Sequence, residues 1–377
     1  MPSPQKLRVG IIGAGEVAQV VHLPVLALLS HLYTVTAICD VSATTATFAA
    51  TKFHIPTSTT QPDDVIASPD VDVVFILTSD EFHALYALRA LEARKRVFIE
   101  KPLTLSLPAA QRIVDADAAA GGGRVFVGYM RRYAPSFVET FKREVESAGE
   151  ILYARVRDFS GPNKTFVDQS GTFQLKGYTQ DVPAAAGAER EGLLKELLGE
   201  AFAGREVTSE RQEMCRFLGS LGSHDISLMR EVLGFPERVD GVSANHPFYS
   251  AILAFKNKES LGGRPFAVTY ESGIDEVPVF DAHLAVYGRK KRIEIRYDSP
   301  FVKGLPIRVK VDEVSEHGEI VSREVLASYE DAYTAELREM HACFTEGKKV
   351  KTTPADAMED LRLFDMIFQK YDERIKA

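Results

Sequence analysis

Hydrophobic and polar positions follow one rhythm in the first third of this chain and another in the remainder. Residues 7–12 form a short apolar run that closes on glycines, the pattern of a strand buried on both faces. A helix is expected from about residue 17, with Pro24 ending or kinking it. Residues 33–39 form a second strand rich in β-branched side chains, and 42–52 are helical in pattern. A fully apolar strand at 71–77 precedes a helix of strong formers at 81–92, with Ala and Leu on its inner face. The next strand is 96–99, followed by a helix at 108–120 and a strand at 125–127. Strands alternating with helices predict right-handed crossovers and a parallel sheet covered on both faces.

After about residue 129 the pattern changes. Residues 151–159, 238–243, 250–255, 266–272, 281–287, 292–297 and 307–312 read as strands, several joined by short turns, which predicts a largely antiparallel sheet. Two helical segments separate the first two of these strands. One, 188–203, is amphipathic through Leu193, Leu194, Leu197 and Leu198. The other, 208–234, reads as one long helix, with Ser209 and Gln212 as a capping box and Gly234 as its stop. Two more helices follow from Tyr329, divided near residues 352–354.

A length of 377 residues is long for one core and comfortable for two domains. The net charge of −8 argues against nucleic acid as the main partner, because such a face must neutralise phosphates. The basic run at 289–292 reads as a solvated turn between strands. Cys39, Cys215 and Cys343 lie far apart, without a CxxC or Cys/His cluster, which argues against a disulfide framework and a structural zinc site. The chain enters a strand almost at once, leaving no room for a signal peptide, and no stretch is apolar for long enough to span a bilayer. The expectation is a cytoplasmic protein without a metal, a membrane or nucleic acid as partner.

The sharpest local motif is Gly13-x-Gly15-x-x-Ala18, set between a strand and a helix. Gly13 permits a tight turn, Gly15 lets the backbone approach a pyrophosphate, and Ala18 keeps the helix close to the sheet. Glu16 and Val17, at the helix start, offer free N–H groups and the positive end of the dipole to the phosphates. Asp40 ends the second strand, where an acid can bond the adenosine ribose hydroxyls; capping the next helix is its alternative role. Val41 and Ser42 follow it, with no adjacent Arg to receive a 2′-phosphate, which favours NAD, with NADP as the alternative. The fold class expected is α/β: a Rossmann dinucleotide-binding domain over 1–128, then an α+β domain over 129–377 on a largely antiparallel open sheet, with an insertion near 160–210.

Further stretches carry a resemblance: "TSDEFHALYALRALEARKRVFIEKPLT" after the strand at 71–77, "VGYMRRYAP" at 127–135, "LGSLGSHDISLMREVLG" at 218–234, and the C-terminal "YTAELREMHACFTEGKKVKTTPADAMEDLRL". Together with the glycine motif they resemble the glucose–fructose oxidoreductase / inositol dehydrogenase family (Gfo/Idh/MocA), over nearly the whole chain. Residues 160–210 match nothing in that pattern. The resemblance implies that Thr78, Ser79 and His83 line the nicotinamide side of the cofactor, although the family usually has Pro and Asn where this chain has Ser79 and Asp80. It implies that Lys101, in Glu100-Lys101-Pro102, sits between nicotinamide and substrate. An ammonium there can hydrogen-bond the reacting oxygen and relay a proton. A plain surface lysine is the alternative.

His224 matches the family's catalytic histidine, an imidazole able to take a hydroxyl proton as hydride leaves the same carbon. Arg131 resembles a substrate-facing position of inositol dehydrogenases, with a surface arginine as the alternative, and His22 reads as structural. The family usually places an Asp four residues before this histidine and another three after; here they are Ser220 and Ser227, on the face of an α-helix that also carries His224. Asp225 is turned roughly 100° away and is a poor substitute. The function implied is hydride transfer between NAD and a sugar, inositol or related polyol, with Lys101 and His224 as proton relay and homo-oligomerisation through the second domain's sheet. A redox-neutral NAD-using enzyme and a non-catalytic dinucleotide-binding regulator are the rivals.

Overall fold

A computed structural model describes residues 5–175 and 180–376. The chain forms two compact units. The first gathers Met1–Tyr129, Thr172–Val207 and Glu336–Leu361, and the second Met130–Gly171, Thr208–Ala335 and Arg362–Ala377.

The first unit is built on six parallel strands: β1 (Leu7–Ile12), β2 (Tyr33–Cys39), β3 (Thr57–Thr59), β4 (Val73–Ile76), β5 (Arg96–Glu100) and β6 (Val125–Gly128). Their order is β3-β2-β1-β4-β5-β6, so the chain reverses direction across the sheet between β1 and β4. In such sheets the crevice beyond the carboxyl ends at that reversal is the ligand site. Val9, Ile11, Val73 to Ile76, Val97 to Ile99 and Val125 to Val127 are all buried, as the unbroken apolar runs require. Phe75 stacks on Phe98 at 4.6 Å between ring centroids, and Phe98 on Phe126 at 6.0 Å.

Two local readings change. Pro24 does not end its helix: a widened π turn over Ala18–His22 runs directly into the helix Leu23–Leu28, with the proline in its first turn. There the missing N–H costs no hydrogen bond. The short strand β3 and the helix Pro62–Ile66 were not expected; both are too brief to leave a periodic signature.

The stretch 160–210, expected as an insertion in the second domain, divides. Thr172–Val207 belongs to the first unit. Its helix, Ala184–Ala201, buries only Leu197 and Leu198 and is held by polar contacts. Arg190 Nε donates to Glu81 Oε1 at 2.5 Å, and Arg112 Nη1 to Glu200 Oε1 at 2.7 Å.

The second unit carries eight strands: β7 (Ile151–Ser160), β8 (Arg238–Asn245), β9 (Phe248–Lys256), β10 (Pro265–Ile274), β11 (Phe280–Gly288), β12 (Lys291–Tyr297), β13 (Arg308–Val314) and β14 (Ile320–Val325). They lie in the order β14-β13-β12-β11-β7-β10-β9-β8. Every pairing is antiparallel except β7 with β10, so the sheet is largely antiparallel, as the short turns predict. Along β7 buried and part-exposed residues alternate, with Ala154, Val156, Asp158 and Ser160 on the covered face.

The expected helix 208–234 is present in three pieces: Ser209–Phe217, a π turn at Leu218–Gly222, and Ser223–Leu233. Its cap lies one residue earlier than expected, where the Thr208 side chain accepts the Arg211 N–H. Gly234 closes it with φ of 87°. Glycine is needed at 222, because a Cβ there would stand 2.5 Å from the Tyr270 hydroxyl. The C-terminal helices are Ala332–Thr345 and Pro354–Lys376.

Candidate active site

In the first unit the strand ends bring the predicted cofactor residues to one edge of the sheet. Gly13 has φ of +99°, and a Cβ on it would lie 2.6 Å from the Leu77 carbonyl oxygen, so no other residue fits. A Cβ on Gly15 would meet nothing within 4 Å, which leaves the start of the next helix approachable. Glu16 and Val17 open that helix and are not buried, whereas Ala18 is fully buried against the sheet. Asp40 Oδ2 accepts the Ala14 N–H at 2.8 Å, and Oδ1 accepts the Ser42 N–H at 2.9 Å. That carboxylate therefore ties the glycine turn to the end of β2.

Thr78 and Ser79 follow β4. The Thr78 hydroxyl oxygen is buried and has no hydrogen-bond partner among the described residues. An orphaned hydroxyl at the strand reversal, beside a glycine turn open to approach, is what a dinucleotide would complete.

His83 is expected to line the cofactor. Instead it is buried, with Nδ1 2.8 Å from the Pro102 carbonyl oxygen and Nε2 3.1 Å from that of Thr78. It braces the loops after β4 and β5 against each other.

Glu100 ends β5 and is buried. Its Oε1 lies 2.7 Å from His22 Nε2, and its Oε2 accepts the Lys101 N–H at 3.1 Å. Burial pushes this carboxyl up, but the His22 hydrogen bond, with the charges of His22 and Lys101, outweighs it and holds the group below its usual range. His22, read as structural, is the partner that makes a buried anion tolerable next to Lys101. Lys101 is partly exposed and is followed by a cis peptide to Pro102.

One further group went unforeseen. Glu336 is fully buried, and neither of its carboxyl oxygens has a hydrogen-bond partner among the described residues. Burial, reinforced by the charge of Glu100, pushes it well above the carboxylate range, with Lys351 opposing. The signal lay in helical phase: Glu336 falls three residues after Tyr333 and four before Met340, both buried.

In the second unit His224 lies in the first turn of the helix Ser223–Leu233 and is partly exposed. The Ser220 hydroxyl donates to the Phe217 carbonyl at 3.3 Å, and Ser227 to the His224 carbonyl at 3.3 Å. Both serines thus donate to their own helix backbone. The π turn between them also shifts the phase assumed for Ser220.

Arg131, expected to face substrate, is buried at 3% exposure. Its Nη1 donates to Asp225 Oδ1 at 2.6 Å, its Nη2 to Asp158 Oδ2 at 2.9 Å, and the guanidinium sits 5.1 Å from the Tyr297 ring centroid. Burial, opposed by Arg131, lifts Asp225 well above the carboxylate range. Asp225, already out of phase with His224, is committed to this cluster. The pattern "YMRRY" shows two cations and gives no hint that acids 27 and 94 residues away will enclose the first.

Comparison with known proteins agrees with this layout. The family model described as "Oxidoreductase family, NAD-binding Rossmann fold" matches residues 7–129, and "Oxidoreductase family, C-terminal alpha/beta domain" matches residues 207–376. Inositol 2-dehydrogenase from Acidothermus cellulolyticus is 36% identical over 138 residues, 37% of this chain and 40% of that protein. The enzyme of that name from Salmonella typhimurium is 37% identical over 146 residues, 38% and 43% of the two chains. The chain matches about two fifths of the length of these curated relatives. Levoglucosan dehydrogenase, solved with NADH and levoglucosan, aligns over 98% of both chains with a TM-score of 0.71 at 18% identity. Aldose-aldose oxidoreductase from Caulobacter crescentus, solved with glycerol, does so over 98% of both with a TM-score of 0.70 at 19% identity. At those identities the likeness is one of fold. The two family models lie end to end over the glycine-turn sheet and the His224 helix with its antiparallel sheet, and on that evidence this chain belongs to the Gfo/Idh/MocA family of oxidoreductases.

Proposed function

We propose that this protein is an NAD-dependent dehydrogenase that moves a hydride between a carbinol carbon of a sugar, inositol or related polyol and the nicotinamide. The observation that carries the reading is the anchoring of Lys101 at the carboxyl edge of β5, where buried Glu100 accepts its backbone N–H and the glycine turn opens at the same edge. Gly13, Gly15, Glu16, Val17 and Asp40 would hold the pyrophosphate and ribose, and Thr78 and Ser79 the nicotinamide end. When bound, the nicotinamide supplies the hydride acceptor or donor. Lys101 polarises the reacting oxygen and stabilises charge that develops on it, and His224 exchanges the hydroxyl proton. Inositol 2-dehydrogenases among the relatives support a polyhydroxylated substrate.

Two finer readings belong here. Cys39, Cys215 and Cys343 are buried free thiols, which suits a reducing compartment such as the cytoplasm. Leu152 on β7 and Ile252 on β9 are nearly half exposed, which suits self-association through the uncovered face of the eight-stranded sheet. Sedimentation of the wild type beside Leu152→Glu tests that association.

A panel of polyols and aldoses, each offered with NAD and followed by reduced-nicotinamide absorbance, tests the activity. Turnover of at least one member that disappears in Lys101→Ala is the expected result. No turnover across the panel by a protein that binds NAD would favour the non-catalytic regulator instead.

A further inference from the structure

At the adenosine end of the site stands an acid that the glycine motif does not supply. Asp40 has its two oxygens on the Ala14 and Ser42 N–H groups. The next donor along the chain, the Thr44 N–H in the first turn of the helix Ala43–Phe53, is taken by Asp181 Oδ2 at 2.8 Å. The Ser42 hydroxyl also bonds Asp181, and these bonds hold its carboxyl below the usual range. Asp181 therefore stays ionised at neutral pH.

Asp181 arrives from the stretch Thr172–Val207, and neighbouring residues of that stretch are fastened to the same two helices. The Phe173 ring meets Phe48 edge-on at 6.1 Å, and Lys52 Nζ donates to Thr172 Oγ1 at 3.0 Å and to the Phe173 carbonyl. Gln174 Nε2 donates to Glu16 Oε2 at 2.9 Å, and the Leu175 N–H to Gln19 Oε1 at 2.9 Å. Glu16 and Gln19 lie in the helix that receives the pyrophosphate, and Thr44, Phe48 and Lys52 in the helix after β2.

We propose that Asp181 is a specificity-determining residue that excludes dinucleotides bearing a 2′-phosphate. A 2′-phosphate needs a cation or free N–H and O–H donors just beyond the acid that ends the second strand. Here those donors, the Thr44 N–H and the Ser42 hydroxyl, already serve a carboxylate at a helix N-terminus, where an incoming anion would otherwise be favoured. A phosphate would have to displace Asp181 and then lie against two negative charges, its own and that of Asp40. NAD, with a neutral 2′-hydroxyl, meets neither obstacle.

The inference rests on the reading that the site prefers NAD. Titrating the full chain with NADH and with NADPH, by nicotinamide fluorescence, separates the two. Wild type is expected to bind NADH at least about ten-fold more tightly than NADPH. Asp181→Asn, which keeps the shape and removes the charge, should strengthen NADPH binding about five- to ten-fold and move NADH by less than about three-fold. Asp181→Glu, which keeps the charge, should retain the wild-type discrimination. Wild type that binds both equally would overturn the preference for NAD and this inference with it. A wild type that prefers NADH, with Asp181→Asn leaving NADPH unchanged or moving both nucleotides by one factor, would overturn the inference alone.

Discussion

His22 and Glu100 form a buried pair, Nε2 to Oε1 at 2.7 Å, with the imidazole wholly out of solvent and packed edge-on against Phe98 at 5.2 Å between centroids. Removing one partner leaves the other polar and unsolvated. His22→Ala is expected to cost about 1.5–3 kcal/mol of stability at neutral pH, read by urea denaturation. The pH dependence has a definite sign. Glu100 is held below its ordinary value of 4.5, so its contribution is complete above that value and is lost as pH falls through the folded one. In His22→Ala that acid-side loss should flatten. A variant as stable as wild type, with the same acid limb, would deny the pair its structural role.

Glu336 has the opposite sign. Its folded value lies well above 4.5, so the folded state holds a proton that the unfolded chain releases. Its stabilising contribution is complete below 4.5 and is lost as pH rises towards the folded value. Glu336→Gln should therefore raise stability near pH 7 by on the order of 1–3 kcal/mol and change little at pH 4.5, measured as unfolding free energy at both. A gain of equal size at both pH values would mean that charge is not the cause.

Lys101→Ala should lower kcat on the order of 100- to 1,000-fold while NADH affinity stays within about three-fold. The division arises because the glycine turn and Asp40 hold the dinucleotide, whereas the Lys101 ammonium acts at the reacting oxygen. His224→Ala should cost about 100-fold or less. Its imidazole lacks the carboxylate that the family usually supplies one turn away, and Asp225 is bound to Arg131. If His224→Ala proves more damaging than Lys101→Ala, the proton passes chiefly through the histidine.

Arg131→Ala should act as a folding mutation. It strands Asp158 and Asp225 with no cation, and breaking a buried pair of this kind costs about 3–5 kcal/mol. A substrate-binding arginine would behave otherwise, raising KM in a protein of normal stability. Thermal melts beside steady-state kinetics distinguish the two.

The sequence carried the elements whose physics is local. The glycine turn, Asp40, the apolar runs of β1, β4 and β6, and the lysine after β5 are each written in a few adjacent residues. What escaped depended on distant partners. Asp181 and Gln174 find the first unit through single polar contacts, and hydrogen bonds between such residues leave no period in a sequence. β14 carries only scattered exposed apolar residues, so it lacks the alternation that marked its neighbours. Arg131 looked like a surface residue because arginine usually is one, and only the topology brings β7 and the His224 helix to enclose it.

The π turn at Leu218–Gly222 has a consequence for how this lineage can change. A π turn is an α-helix with one residue too many, and removal of one residue restores the regular turn. Each residue of an α-helix advances the helical face by about 100°, so a single-codon deletion within 218–222 would rotate the helix Ser223–Leu233 against Ser209–Phe217 by that angle. His224 would leave its present face, and Ile226 and Met229, now buried, would be turned away from the core. The surplus residue thus works as a ratchet: point substitutions can tune the surroundings of His224, but an indel that erases the turn dismantles the core beneath it.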